Sequence, residues 1–313
     1  MSKKISFLIV TLNCEKYIND CLEGLVRQGV CSSQIEVLII DGKSSDKTVG
    51  LSKTFLEKSD LDYKIITNDA RTLASGWNLG VKESIGEYIV RPDAHSVLED
   101  NYALIGMSKL EKNPELAAVG GVLDTISKTF IGKLISLVLS NPIGVGPSLF
   151  RIGLSDDVET DTVVYGIYRR KVFETVGGFN ESLSRNQDIE FHRRVKNENF
   201  KMITSPDLKA KYYSRGNVKS FLSQAYNNGF WVGKGYGHLR HHVPLLFVLT
   251  LMISVFLGVL YVSILLSAYL VTVLLSYLCF SKTFNIIKLF VLVILTFLLH
   301  VFYGLGTLIG KLR

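Results

Sequence analysis

Three short acidic stretches carry the residue types that chemistry needs. Asp41-Gly42-Lys43-Ser44-Ser45-Asp46 follows directly on the apolar run from Ile35 to Ile40, and Arg91-Pro92-Asp93-Ala94-His95 follows on Tyr88-Ile89-Val90. Asn186-Gln187-Asp188-Ile189-Glu190 opens a helical pattern. The first two stand at the C-terminal ends of predicted strands, where open α/β sheets bind their ligands. Asp93 and His95 are two residues apart in a turn, so both can face one ion. Mg²⁺ and Mn²⁺ take oxygen ligands, and Mn²⁺ also accepts imidazole. Such an ion would hold a diphosphate and stabilise charge on a leaving group, and two acidic turns so placed describe a nucleotide-sugar site. The plainer alternative is that Asp93 caps a helix beginning near Leu98, with His95 a loop residue.

The elements that must position these residues alternate. Ile5 to Val10 reads as a buried strand. Glu15 to Gln28 is helical, with Ile18, Cys21, Leu22, Leu25 and Val26 on one face. The strand at 35–40 leads to a helix that Asp46 would cap and that runs to about Leu56. Tyr63 to Thr67 is a strand, Ala74 to Ser84 a helix, and Tyr88 to Val90 a fourth strand. Val163 to Tyr168 reads as a later strand and Gln187 to Asn197 as a helix. This order predicts a mostly parallel, Rossmann-like sheet with helices on both faces.

Beyond residue 242 the composition changes. No charge occurs from Val243 to Phe280, and from Leu289 to Gly310 only His300 interrupts the apolar run. Each run exceeds the ~20 residues that cross a bilayer. The first is long enough for two helices with a turn near Ser263 to Ser267, or for one long tilted helix. The expected division is therefore a catalytic domain over 1–242 and a transmembrane region of two to three helices over 243–313. Residues 131–150 start apolar and helix-like and pass into Asn-Pro and Gly-Pro loop chemistry. They are too short to span, and read either as a core helix plus loop or as a segment lying on the membrane surface. Residues 201–242 hold seven Lys/Arg against one Asp. Basic residues beside a membrane helix favour the cytoplasmic side and anionic headgroups. No nucleic-acid motif accompanies the charge. No signal peptide is apparent, so the expectation is a multi-pass protein of the inner (plasma) membrane with its catalytic domain in the cytoplasm. Cys14, Cys21, Cys31 and Cys279 lack metal spacing and read as reduced thiols.

The motif set resembles family 2 glycosyltransferases, and among them the succinoglycan-biosynthesis glucosyltransferase type. The resemblance covers roughly residues 3–245. It implies the GT-A nucleotide-diphospho-sugar transferase fold, with Thr11-Leu12-Asn13 wrapping the donor base, Asp41 bonding a uracil imide and Asp46 supporting its turn. Arg71 and Asn78 match a family segment before Gly86-Glu87-Tyr88, although Arg71 also reads as a solvated surface residue. The family pattern at 93–95 is Asp-x-Asp. His95, and Arg91 two residues before Asp93, match the succinoglycan type. Gly177-Gly178-Phe179-Asn180-Glu181 matches a turn beside the donor sugar. Asp188 takes the position of the general base, with Gln187 where the family has Glu. Glu190 faces away from Asp188, and His192 reads as an ordinary helix-surface residue. The Gln-x-x-Arg-Trp of polymer-making relatives is missing, which argues against processive synthesis.

The reaction so implied is inverting transfer of one hexose from a nucleotide-sugar, a UDP-sugar, to a polyprenyl-diphosphate-linked sugar in exopolysaccharide, capsule or O-antigen synthesis. Arg215, Lys234 and Arg240 are the candidates to hold the acceptor diphosphate, Arg suiting bidentate phosphate contact. They could equally meet only anionic headgroups. The rival readings are a polyprenyl-phosphate-sugar synthase and a non-catalytic, membrane-bound transferase-like scaffold.

Overall fold

The computed structural model describes residues 4–280 and 284–313. Nine strands occur among them: β1 (Ile5–Thr11), β2 (Ile35–Asp41), β3 (Asp62–Thr67), β4 (Tyr88–Val90), β5 (Ser96–Leu98), β6 (Leu116–Ile126), β7 (Val158–Glu159), β8 (Ile167–Arg169) and β9 (Lys201–Tyr213). The helices are α1 (Ile18–Leu25), α2 (Thr48–Leu56), α3 (Leu73–Glu83), α4 (Tyr102–Lys112), α5 (Phe130–Leu139), α6 (Pro142–Val145), α7 (Leu149–Ile152), α8 (Arg170–Val176), α9 (Gln187–Asn197), α10 (Val218–Gly233), α11 (Val243–Leu257), α12 (Val259–Phe280) and α13 (Ile286–Leu312).

The chain divides into two compact units. One holds the residues up to Asp124 together with Gly153–Tyr212, and the other holds Thr125–Ile152 together with Tyr213–Arg313. The first unit carries one sheet in the order β3-β2-β1-β4-β8-β6-β9-β5, with β7 paired to β9. Strands β1 to β4 pair in parallel. Ile5, Phe7, Leu8 and Ile9 of β1 and Val37 to Ile40 of β2 are wholly buried, as strands covered on both faces must be. The alternating pattern thus yields the expected parallel half of a GT-A-like α/β sheet. The other half is antiparallel, β8 pairing with both β4 and β6, and β9 with both β5 and β7. The strand expected over 163–168 is shorter and later, because Tyr165 takes φ +46° and breaks the extended run before Ile167. Leu98 ends a strand, and the next helix starts only at Tyr102 behind Asn101 at φ +62°. Asp93 therefore caps no helix at Leu98.

In the second unit three helical stretches are long and apolar enough to cross a membrane: Leu239–Leu257, Val259–Phe280 and Ile286–Leu312. The first two come from the uncharged run that begins at Val243. They part at Gly258 and not at Ser263 to Ser267. Gly258 has φ +110°, a conformation a side chain resists, while both serines stay inside α12. Helices α10 and α13 approach closely along two small-residue rows, Gly229/Gly233 and Gly306/Gly310. A Cβ on Gly229 would strike the carbonyl oxygen of Tyr303, and one on Gly306 that of Tyr226. This spacing is the small-xxx-small pattern by which membrane helices bring their backbones together. The segment 131–150 forms the expected apolar helix α5, and its Asn-Pro and Gly-Pro stretch folds into the short turns α6 and α7. Asn141 binds Ser276 of α12, whose hydroxyl donates to Asn141 Oδ1 at 2.6 Å.

Candidate functional site

The parallel half of the sheet delivers the first acidic turn. Thr11 and Asp41 end β1 and β2 side by side in register. The Thr11 hydroxyl donates to Asp41 Oδ1 at 2.8 Å, and Ser44 donates to Asp41 through its hydroxyl (2.6 Å) and its amide (2.7 Å). Asp41 is 6% exposed, and these bonds fill three of the roughly four lone-pair sites of a carboxylate. Asn13 locks the neighbouring loop. Its amide donates to Ser44 Oγ at 2.9 Å, and its Oδ1 accepts from the Ser45 amide at 2.9 Å. Asp46 accepts from the amide and hydroxyl of Thr48 at the start of α2 and from the Glu15 amide. It therefore serves the helix start and ties the two loops as well.

The residues just after β1, β2 and β3 share a strained backbone. Asn13, Lys43 and Arg71 have φ of +54°, +61° and +57°. Left-handed non-glycine residues cost of order 1 kcal/mol or more and gather at functional sites. Arg71 is solvent-exposed, and its Cα lies against Gly42.

The second turn lies beside the first. The Cys14 thiol is pushed up chiefly by burial, and then by the carboxylates of Asp46, Asp41 and Asp93 around it. One sulfur thus feels both acidic turns. Asp93 Oδ2 and His95 Nε2 stand 4.0 Å apart, each side chain about 30% exposed, and the His95 ring lies 5.3 Å from that of Tyr212. The pair fits a hard divalent ion, offering one oxygen and one imidazole nitrogen. Among the described residues no group of three or more His, Cys, Asp and Glu gathers to hold a metal. The protein would supply two ligands and leave the remaining positions to phosphate oxygens and water, a common arrangement for Mg²⁺.

The third cluster is also in the first unit. Asp188 lies in the first turn of α9, behind Asn186 at φ +59°. Glu190 is held by Arg194, one turn on, at 2.7 Å, and so points away from Asp188 as expected. Asn78 clamps the Gly177-Gly178-Phe179 turn. Its Oδ1 accepts from the Phe179 amide at 2.7 Å, and its Nδ2 donates to the Phe179 carbonyl (2.9 Å) and to Glu181 (2.7 Å). His192 is not on the surface. It is wholly buried, 2.8 Å from both Thr162 Oγ1 and the Tyr168 hydroxyl. The sequence reads it as a helix-surface residue, but the hydroxyls of Thr162 and Tyr168 satisfy the ring in the core. Sequence reasoning also missed Trp77 and Tyr168, which enclose Arg91. The signal was a lone arginine in a run of apolar residues.

The three acceptor candidates lie in the second unit. Arg215 stands between β9 and α10, and its Nε is buried without a hydrogen-bond partner among the described residues. Lys234 follows α10 with its ammonium 5.8 Å from the Phe230 ring centre, and Arg240 is exposed in a short 3-10 turn at Leu239–His242.

A family model, Glycosyl transferase family 2, matches residues 6–177, more than half of the chain. The chain belongs to glycosyl transferase family 2. A Methanococcus voltae relative, a dolichyl N-acetyl-alpha-D-glucosaminyl phosphate 3-beta-D-2,3-diacetamido-2,3-dideoxy-beta-D-glucuronosyltransferase, is 31% identical over 266 residues, 82% of each chain. Succinoglycan biosynthesis protein ExoA of Rhizobium meliloti is 24% identical over 239 residues, 75% of this chain and 70% of its own. Among solved structures, the mannosyltransferase PcManGT of Pyrobaculum calidifontis, in complex with GDP-Man and Mn²⁺, has a TM-score of 0.63 at 16% identity over 100% of this chain and 88% of its own. That likeness speaks for the fold. In this family-2 chain the matched span contains the first two acidic turns, and Asp188 lies beyond it.

Proposed function

We propose that the chain is an inverting, metal-dependent hexosyltransferase of the succinoglycan type. It moves one hexose from a UDP-sugar to a polyprenyl-diphosphate-linked sugar. The observation that carries this reading is that the turns of Asp41 to Asp46 and of Asp93 to His95 lie at the C-terminal ends of β2 and β4, the two strands that flank β1 in parallel. In this reading Thr11, Asn13 and Asp41 hold the base, Arg71 and Asn78 serve the donor, and Asp93 with His95 hold Mg²⁺ or Mn²⁺. An ion held by Asp93 and His95 would supply positive charge against the leaving diphosphate. Asp188 takes the proton of the attacking hydroxyl, and the sugar passes directly to the acceptor with inversion. Residues 1–242 do this work in the cytoplasm, and residues 243–313 anchor them as a multi-pass segment in the plasma membrane. Residues 131–150 and 201–242 lie at the interface, with Arg215, Lys234 and Arg240 on the acceptor diphosphate.

The name of the M. voltae relative specifies an acceptor joined to its lipid through a single phosphate. That observation favours a second reading, in which the acceptor sugar is linked by one phosphate. Nucleotide release from a panel of donors, measured with monophosphate- and diphosphate-linked acceptors, separates the two. Asp188→Asn is the control. It should cut turnover roughly 100-fold or more, the range for a positioned acid–base group, with donor affinity little changed. Collapse of donor binding with turnover per bound donor intact would make Asp188 a donor ligand instead.

A further inference from the structure

Inside the first unit the buried Arg91, Tyr168 and His192 and the half-buried Thr162 form a polar chain that the reaction above does not use. Arg91 is 5% exposed. Its Nη2 donates to the Tyr168 hydroxyl at 3.1 Å, and its guanidinium carbon lies 4.0 Å from the Trp77 ring centre and 4.8 Å from that of Phe179. The Tyr168 oxygen is 2.8 Å from His192 Nε2, and His192 Nδ1 is 2.8 Å from Thr162 Oγ1. The Tyr168 and His192 rings stack with 11° between their planes. A guanidinium can only donate. The Tyr168 oxygen therefore accepts from Arg91 and keeps its own proton for His192 Nε2. That places the imidazole proton on Nδ1, facing Thr162. One tautomer satisfies the bonds from Tyr168 to Thr162. Arg91 Nε is buried without a hydrogen-bond partner among the described residues, so the guanidinium is held by its bond to Tyr168 and by the Trp77 and Phe179 rings. Buried polar contacts of this kind favour one arrangement of their walls.

The attachment points give the chain its meaning. Arg91 follows β4 and precedes Asp93 by two residues. Tyr168 lies in β8, paired opposite Ile89. His192 is four residues after Asp188 on α9, so both share one helix face. The chain thus runs from the turn that holds Asp93 and His95, through the sheet, to the helix that holds Asp188. Burial raises the Tyr168 phenol most, Arg91 opposes that, and the Asp188 charge adds to it, so both ends act on this one oxygen.

We propose that Tyr168 is a positioning residue which, gripped by Arg91 and His192, holds Asp188 at a fixed distance from the turn of Asp93. The inference rests on the role proposed above for Asp188. The attacking hydroxyl must meet the sugar in line with the departing diphosphate, and a 1 Å misplacement costs about 100-fold.

Tyr168→Phe keeps the ring stack and removes only the oxygen. In the full chain, kcat should fall roughly 10- to 100-fold with donor KM within about twofold. Asp188→Asn and the double variant complete a cycle. If Tyr168 acts through Asp188, Tyr168→Phe slows the Asp188→Asn protein no further. Equal fold-losses in both backgrounds overturn the proposal, as does an unchanged kcat in the single variant. So does a loss of donor binding that follows a lowered melting temperature, the mark of a packing strut. If Tyr168→Phe does not fold, Thr162→Val runs the same cycle from the far end of the chain, and Thr162→Ser should restore the rate. Normal turnover by Asp188→Asn would sink the assigned base, and this inference with it. A dead Asp188→Asn beside a normal Tyr168→Phe sinks the positioning role alone.

Discussion

The two compact units differ most in their carboxylates. All 28 Asp and Glu lie in the first, together with 24 Lys and Arg; the second has eleven Lys and Arg and no acidic side chain. In the first unit charge is answered locally, as where Lys109 reaches both Asp157 and Asp207 at 2.9 Å. The second unit's own sequence offers no Asp or Glu to its cations. Two of its cations meet groups of the same unit, Arg151 the Thr125 hydroxyl and Lys128 the Tyr213 ring, and basic residues beside apolar helices also have the chemistry that attracts anionic headgroups. The first unit carries every carboxylate that the proposed acid–base and metal chemistry calls on, and the second carries the helices long and apolar enough to cross a membrane.

The largest effect should come from the acidic side. Asp93→Ala should cost a thousandfold or more, on the order of the several kcal/mol a metal ion supplies, with the melting temperature unchanged. His95→Ala should cost less and move metal preference from Mn²⁺ toward Mg²⁺. Full activity of the Asp93 variant in chelator would remove the metal from the account. On the basic side, neutralising Arg215, Lys234 and Arg240 together should raise the apparent acceptor constant by up to about 150-fold, from roughly 1 kcal/mol per charge at a membrane surface. Slow donor hydrolysis should be spared. Unchanged acceptor kinetics with weakened vesicle binding would assign these residues to headgroups alone.

Gly306→Val tests whether the units are separable in stability. The added methyls meet the α10 backbone, and overpacking of this kind costs about 1–3 kcal/mol. Melting in detergent should show the loss, while nucleotide binding by the first unit persists. The smallest effect is expected at Asp46. Burial pushes its carboxyl up, but the hydrogen bonds from Thr48 and Glu15 outweigh this and hold it below its ordinary value of 3.8. Its stabilisation is complete above that value and is lost as pH falls through the lower, folded one. Asp46→Asn should therefore be less stable than the parent by about 1 kcal/mol near neutrality, the size of a lost helix-start bond. The two should converge in strong acid, and a gap that persisted there would refute the assignment.

Much of the first unit was legible because its cues are local. The runs at 5–10 and 35–40 are apolar but for Ser6 and Glu36, which bond each other inside the sheet, as strands covered on both faces largely are, and each leads into a turn. The local placement of Asp41, Asp93 and Asp188 was legible because each stands at a strand end, in a turn or in the first turn of a helix. The antiparallel half was not legible: β8 is three residues long, and its place between β4 and β6 is set by pairing partners far away in sequence. His192 has the sequence context of a solvated helix face between Phe191 and Arg193, and only the hydroxyls of Thr162 and Tyr168 reveal its burial. In the apolar tail, length and hydropathy gave the helices. The break fell at Gly258 because backbone conformation, and not serine polarity, decides where such a run bends.

The glycine seam between α10 and α13 also sets a timetable. Gly229 and Gly306 are separated by 77 residues of chain, which a ribosome adds in about 4 to 15 s. Throughout that interval α10 has been made but its closest neighbour has not, and its glycine face stands open. Whatever shields that face during synthesis, whether lipid, chaperone or insertion machinery, has to let go when α13 arrives.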